Sequence, residues 1–246
     1  MYKMQLQLVL ALIWAMAYAP LRYDSAPLAI ANWTHSPVQP ISKTTETPPD
    51  PNTTPGGGLD PSNSSCKKTK QPLTALIPHE NPGLTTAARP TFWFYIPYIR
   101  EDIKRGEFVL LTLDEKTVIY ETNFQLSQTP GIVSISIPSS SESALEESKT
   151  YRWFLRIYCN KSRKSHADLV VDGSIKRVAV TAETERLINA ASPDIWYDSL
   201  TRLGDVLSTS PQDEKSKSDW NKLLESIGRK ELSEEPLVGP VIELGG

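Results

Sequence analysis

The sequence predicts a mostly β protein: an immunoglobulin- or fibronectin-like antiparallel sandwich with a C-terminal helical hairpin. Three observations carry this expectation. Short apolar runs separated by turn residues recur between residues 73 and 180, as the strands of a sandwich do. Two of those runs alternate with period two. Beyond residue 180 the apolar spacing lengthens to three and four, the period of a helix face.

Residues 1–31 read as a signal peptide. Lys3 precedes a mostly apolar run from Leu6 to Ala19, shorter than the ~20 residues a spanning helix needs. Small residues then offer two cleavage points, after Ala19 or after Ala31. Pro20 hinders the first; the second lies far from the apolar run. An uncleaved signal anchor is the competing reading. No later stretch is apolar enough to span, so no stable membrane span is expected once the signal is removed. Removal takes away Lys3, Arg22 and Asp24 and changes the net charge from −3 to −4.

Residues 32–72 read as a disordered linker. They are rich in Pro, Thr, Ser, Asn and Gly, with Pro48-Pro49 and Gly56-Gly57-Gly58. So few large apolar residues cannot offset the entropy of ordering the chain.

Residues 73–182 are the expected sandwich. Its strands are placed at 73–77, 91–98, 108–113, 117–124, 132–137 and 150–159, with a hairpin from Asp168 to Val180 turning at Asp172-Gly173. Val133, Ile135 and Ile137 face one way, Ser134 and Ser136 the other. Tyr151, Trp153, Leu155, Ile157 and Cys159 share one face, with Arg152 and Arg156 opposite. Asp114-Glu115-Lys116 forms a turn between two strands. The Cys-Trp-Cys spacing of antibody domains is missing.

Residues 183–230 are the expected helical extension. Thr184–Ala191 is a short candidate. Ser192-Pro193-Asp194 combines a cap, a proline at the first position and an acid at the positive end of the dipole. Trp196, Leu200, Leu203 and Leu207 follow on one face. Ser210-Pro211 repeats the start signal; Trp220, Leu223, Leu224 and Ile227 make the next stripe, and Gly228 ends it. Residues 231–246 form an extended tail, broken by Pro and Gly, that can dock on the sandwich.

Both cysteines, Cys66 and Cys159, belong to the mature part, and an exported chain with two cysteines permits one disulfide. Two buried thiols are the alternative. The core-side position of Cys159 favours the bridge, which would pin the linker's end to the sandwich. His35, His79 and His166 show no ligand spacing, so no metal and no cofactor are expected. The mild acidity, with a pI near 5.7, argues against a nucleic-acid partner.

Several of these segments resemble the domain-of-unknown-function 928 family. The resemblance runs over roughly residues 66–206. It is carried by Leu73-Thr74-Ala75-Leu76-Ile77-Pro78, Leu84-Thr85-Thr86 and, most specifically, Arg89-Pro90-Thr91-Phe92-Trp93-Phe94-Tyr95-Ile96-Pro97-Tyr98. Arg156-Ile157-Tyr158-Cys159, Asp172-Gly173-Ser174-Ile175-Lys176-Arg177-Val178 and Ile195-Trp196-Tyr197-Asp198 add to it. Ser174 departs from the aromatic expected after the glycine. The resemblance implies an exported protein of a mostly cyanobacterial family with no assigned activity, and it supplies no catalytic residues.

The aromatic strand has two apolar faces, with Phe92, Phe94 and Ile96 on one and Trp93, Tyr95 and Pro97 on the other. A central strand covered on both sides is the plain reading. The alternative is an exposed platform of Trp93, Tyr95 and Tyr98 that stacks a sugar ring, which would make this a carbohydrate-binding module. A hydrolase is a remote third reading, motivated by His166, Asp168 and the serines at 139–143; no nucleophile elbow accompanies them. Arg152 and Arg156 read as paired or solvated charge. The expected function is that of an exported, non-catalytic interaction or scaffold protein. Its expected partner is another envelope or extracellular protein, or a glycan.

Overall fold

The computed structural model describes residues 65–127, 129–139, 142–159 and 166–244. The expected signal peptide 1–31 and the linker as far as residue 64 lie outside the described residues.

Ten strands and three α-helices make up the described part. The strands are β1 (Thr74–Ala75), β2 (Gly83–Thr85), β3 (Thr91–Ile96), β4 (Arg105–Thr112), β5 (Val118–Gln125), β6 (Gly131–Ser136), β7 (Thr150–Tyr158), β8 (Leu169–Arg177), β9 (Leu237–Pro240) and β10 (Ile242–Leu244). The helices are α1 (Ala182–Asn189), α2 (Trp196–Thr209) and α3 (Glu214–Ser226). One sheet has the order β1-β3-β6-β9, the other β10-β5-β4-β7-β8-β2. The chain is mostly β, as expected. Both sheets are mixed: β2 joins β8 and β9 joins β6 in parallel, while the remaining pairs are antiparallel.

Aromatic side chains fill the space between the sheets. Phe92 and Phe94 of β3 meet Phe108 of β4 and Trp153 of β7 with ring centroids 4.8–6.2 Å apart. Such tilted and edge-on pairs add to the hydrophobic gain of burying the rings. Phe92, Phe94, Phe108, Trp153, Leu155 and Ile157 are all essentially inaccessible. The alternation in β7 explains this, because its odd-numbered residues all point inward.

The helices complete the same core. Three consecutive residues at the start of α2 each tie it to a strand or its flank. Trp196 donates its indole N–H to the Leu76 carbonyl at 2.8 Å. Tyr197 reaches between the sheets and accepts from Trp153 Nε1 at 3.1 Å. Asp198 accepts from the backbone N–H and the hydroxyl of Thr86. Gly204, in the middle of α2, lets the Trp93 ring lie against the helix; a Cβ there would overlap the indole. α2 therefore covers the outer side of β3, and α3 packs on α2 through Trp220, whose ring meets Trp93 edge-on at 6.0 Å.

Three sequence expectations are corrected. The residues from Asp168 to Val180 form no hairpin: β8 runs straight through Asp172-Gly173. Gly173 is there because the Trp153 indole lies directly over its Cα, where a Cβ would collide. The start of α3 is Asp213 rather than Ser210. The Asp213 carboxylate accepts the Ser216 N–H at 2.7 Å, whereas Ser210 closes α2 by donating its N–H to Val206. Ser192 does cap a start, but that of a single 3₁₀ turn, Pro193–Ile195, leading into α2.

The tail does dock, as two strands. β9 borders β6 in one sheet and β10 borders β5 in the other, so residues 237–244 stitch the two sheets together along one side. Cys66 and Cys159 are bridged, with Cα atoms 5.1 Å apart. The end of the linker is thereby fixed at the C-terminal end of β7.

Candidate functional site

The aromatic platform expected from Trp93, Tyr95 and Tyr98 is not exposed. Trp93 is only 4% accessible, Tyr95 6% and Tyr98 4%. Trp93 is enclosed by α2 and α3, and its Nε1–H donates to Thr201 Oγ1 at 3.1 Å. Burial pushes the Tyr95 and Tyr98 phenols above their ordinary pKa. α2 and α3 cover the face of Trp93 on which a sugar ring would stack. The plain reading of the strand, covered on both sides, is the one the structure bears out.

Two of the residues that motivated a hydrolase, Asp168 and Ser143, are hydrogen-bonded to other groups. Asp168 accepts hydrogen bonds from the Ser65 hydroxyl and from the Cys159 N–H, the latter at 2.8 Å. Ser143 donates to the Ile119 carbonyl. Ser140 and Ser141, and residues 160–165, lie outside the described residues. One trio of possible metal ligands is close together among the described residues: Cys66, Cys159 and Asp168. The disulfide occupies both sulfurs.

The most organised polar arrangement is on the outer face of the six-stranded sheet. β4 is an apolar strand with one acidic residue in it, Glu107. The register places Glu107 between Asn123 of β5 and Arg156 of β7, and Arg105 opposite Tyr158. Glu107 Oε1 accepts from Arg156 Nη1 at 2.6 Å; Oε2 accepts from Arg105 Nη1 at 2.7 Å and from the Tyr158 hydroxyl at 3.1 Å. Arg105 also donates to Asn123 Oδ1 at 2.6 Å, and its guanidinium lies 3.8 Å above the Tyr158 ring. Burial alone would raise the Glu107 carboxyl. The hydrogen bonds from Arg156, Arg105 and Tyr158 outweigh it and hold the group below its ordinary pKa.

The pattern continues along β7. Phe154 lies between Arg152 and Arg156, each guanidinium 5.4 Å from the ring centre. Arg152 forms an ion pair with Asp172 of β8 and approaches Glu115 of the β4–β5 turn at 3.5 Å. Burial pushes the Asp172 carboxyl up, against the pull of Arg152. The arginines are cross-strand partners, as the sequence reading held.

The Glu107 carboxylate accepts from three donors on two neighbouring positions of β7 and one of β4, which fixes the geometry of the face. Around it lie half-covered Phe154, Leu111 and Val170 and exposed Val118, Ile242 and Leu244. Arginine and aromatic side chains among apolar patches are the composition of interface centres. Glu107 is not among the residues that the sequence singles out. Its signal was a carboxylate within an otherwise apolar strand, which in a folded sheet requires a basic partner.

No helix among the described residues is long and apolar enough to cross a membrane. The family model described as Domain of Unknown Function (DUF928) matches residues 55–237. No curated protein matches the sequence.

Proposed function

This chain belongs to the Domain of Unknown Function (DUF928) family, and we propose that it acts as an exported, non-catalytic interaction module whose contact surface is the outer face of the six-stranded sheet. The single observation behind this reading is the asymmetry of the two sheets. α2 packs over the four-stranded sheet through β3 and β9, and meets the six-stranded sheet at its edge strand β2. The six-stranded sheet instead carries an ordered lattice of Arg105, Glu107, Arg152 and Arg156 around a partly accessible Phe154. A face pre-organised by ion pairs loses little side-chain entropy when a partner covers it.

Export is supported by the apolar N-terminal run and by the Cys66–Cys159 bridge, since structural disulfides persist in oxidising compartments. The partner that fits is another envelope or extracellular protein, with an apolar patch for Phe154 and polar groups for the flanking guanidiniums.

The test is site-specific photo-crosslinking in intact cells. A benzophenone side chain is placed at Phe154 or Val170 on the sheet face, and at Lys222 or Glu225 on α3. The expected result is a discrete adduct from the sheet positions alone, in the envelope or medium. Adducts from the helix positions only, or none from any position, would refute the reading; so would finding the full-length chain in the cytosol.

A further inference from the structure

The end of the sandwich at the disulfide is basic. The bridge holds Cys66 at Cys159, the residue after β7. The Lys104 N–H donates to the Tyr158 carbonyl at 2.7 Å, and Lys67 Nζ lies 3.8 Å from Asp102 Oδ1. Two segments distant in sequence, 66–70 and 100–104, are thereby held side by side. They carry five exposed cations, Lys67, Lys68, Lys70, Arg100 and Lys104, against two carboxylates, Glu101 and Asp102. Among the described residues, only Lys67 of the five forms an ion pair with a carboxylate. Arg105 and Glu107, the next charges along β4, pair with each other. This concentration of positive charge belongs to a chain whose net charge is −3.

We propose that this basic end docks on the surface of an anionic lipid bilayer. Four of the five cations are lysines, compact charges on flexible stems without the planar fork that selects one bound anion. Neither segment contains an aromatic side chain on which a sugar could stack. That composition suits a diffuse layer of charge, as lipid headgroups present, rather than a defined anion or a glycan. Each lysine near such a surface strengthens binding roughly fivefold.

The position in the chain points the same way. Residues 1–64 join the described part at Ser65, beside these lysines, and include the apolar run Leu6–Ala19. In a chain held in a bilayer by that run, the basic end is the part of the fold nearest along the chain, and tethering raises its effective concentration at the surface. None of the five cations belongs to the lattice around Glu107, so this surface and the sheet face are tested separately.

The test is flotation of the full chain with vesicles of phosphatidylcholine, alone or mixed in equal parts with phosphatidylglycerol. The anionic vesicles should be bound about tenfold or more tightly than the neutral ones. The preference should vanish at ~0.5 M salt, where charges are screened within about 4 Å. The combined variant Lys67→Gln, Lys68→Gln, Lys70→Gln should bind the anionic vesicles about tenfold or more weakly and the neutral ones unchanged. A control removes three exposed lysines of α3, by Lys215→Gln, Lys217→Gln and Lys222→Gln. It makes the same change in net charge and should bind as the unaltered chain does. Equal binding of the unaltered chain to both kinds of vesicle would overturn the proposal, and so would an equal loss in the two variants. Retention on dextran sulfate without a preference for anionic vesicles would overturn it in favour of a soluble polyanion. The vesicle preference and its salt dependence are read on the unaltered chain, so they decide the matter whatever the variants do.

Discussion

Trp153 of β7 and Tyr197 of α2 meet at the centre of the molecule: the indole N–H donates to the phenol oxygen at 3.1 Å, with both side chains buried. The phenol in turn donates to the Ser174 carbonyl at 3.3 Å. The pair joins the sandwich to its helices, so the two cannot be separate folding units. Removing the hydroxyl in Tyr197→Phe leaves a buried indole N–H without an acceptor, at a cost of about 1–3 kcal/mol. Thermal denaturation should show a fall of roughly 2–12 °C in Tm. A Tm unchanged within a degree would mean that the helices contribute little to the core.

Gly204 tests the same junction from the other side. In an ordinary helix, glycine to alanine stabilises by roughly 0.5–1 kcal/mol. Here the new Cβ would overlap the Trp93 ring, and overpacking costs about 1–3 kcal/mol. Urea unfolding of Gly204→Ala should show a lower midpoint, and Gly204→Val a lower one still. A stabilised Gly204→Ala would show that Trp93 has room to move and that the helix is not seated on it.

The Glu107 lattice predicts an acid limb. Burial opposes ionisation of this carboxyl, but the bonds from Arg156, Arg105 and Tyr158 prevail and depress its folded pKa. Its contribution is therefore fully present above the unfolded value of ~4.3 and is lost as pH falls through the folded value. Glu107→Gln should lower stability at neutral pH by about 1–3 kcal/mol, with the exposure of the two arginines favouring the lower end. The variant should also show a flatter decline below pH 4. A decline parallel to that of the unaltered chain would remove Glu107 as its cause.

At the alkaline end the sign reverses. Burial pushes the Tyr197 phenol up, so its contribution is complete below ~10 and disappears as pH rises through the elevated value. Tyr197→Phe should lack this alkaline loss, which stability measured between pH 9 and 11 would detect.

The bridge closes a long loop, with a sequence separation of 93 between Cys66 and Cys159. Chain entropy sets its nominal worth at about 4–5 kcal/mol. The double variant Cys66→Ser, Cys159→Ser should lose about 2–5 kcal/mol and remain folded, because the core and the hydrogen bonds of Asp168 to Ser65 and to the backbone of residue 159 persist. Loss of near-UV circular dichroism in the double variant would show that the bridge is required for folding.

The parts of the fold that were legible in the sequence are those with strict period. Val133 to Ile137 and Tyr151 to Ile157 alternate, and the structure places them facing the core. Trp196, Leu200, Leu203 and Leu207 give the buried face of α2. What misled was residues whose identity is set by a distant neighbour. Gly173 looked like a turn residue next to Asp172, yet it is small because Trp153 lies across it. β2 is three residues long, and its partner, β8, is some ninety residues away, so no local signal marks it. Trp93 and Tyr95 read first as core and only second as a platform, and α2 seated on the Trp93 ring decides for core. The Glu107 lattice comes from three strands, and only their register brings Arg105, Asn123 and Arg156 together.

Sandwich and helices share one core. Native-state hydrogen–deuterium exchange of the full chain tests it most directly. The account predicts that amides of β3, β7 and α2 exchange slowest and with the same opening free energy, in one cooperative unit. Exchange of α2 and α3 at a much lower opening free energy than β3 and β7 would contradict it. The helices would then be a separate cover rather than part of the core.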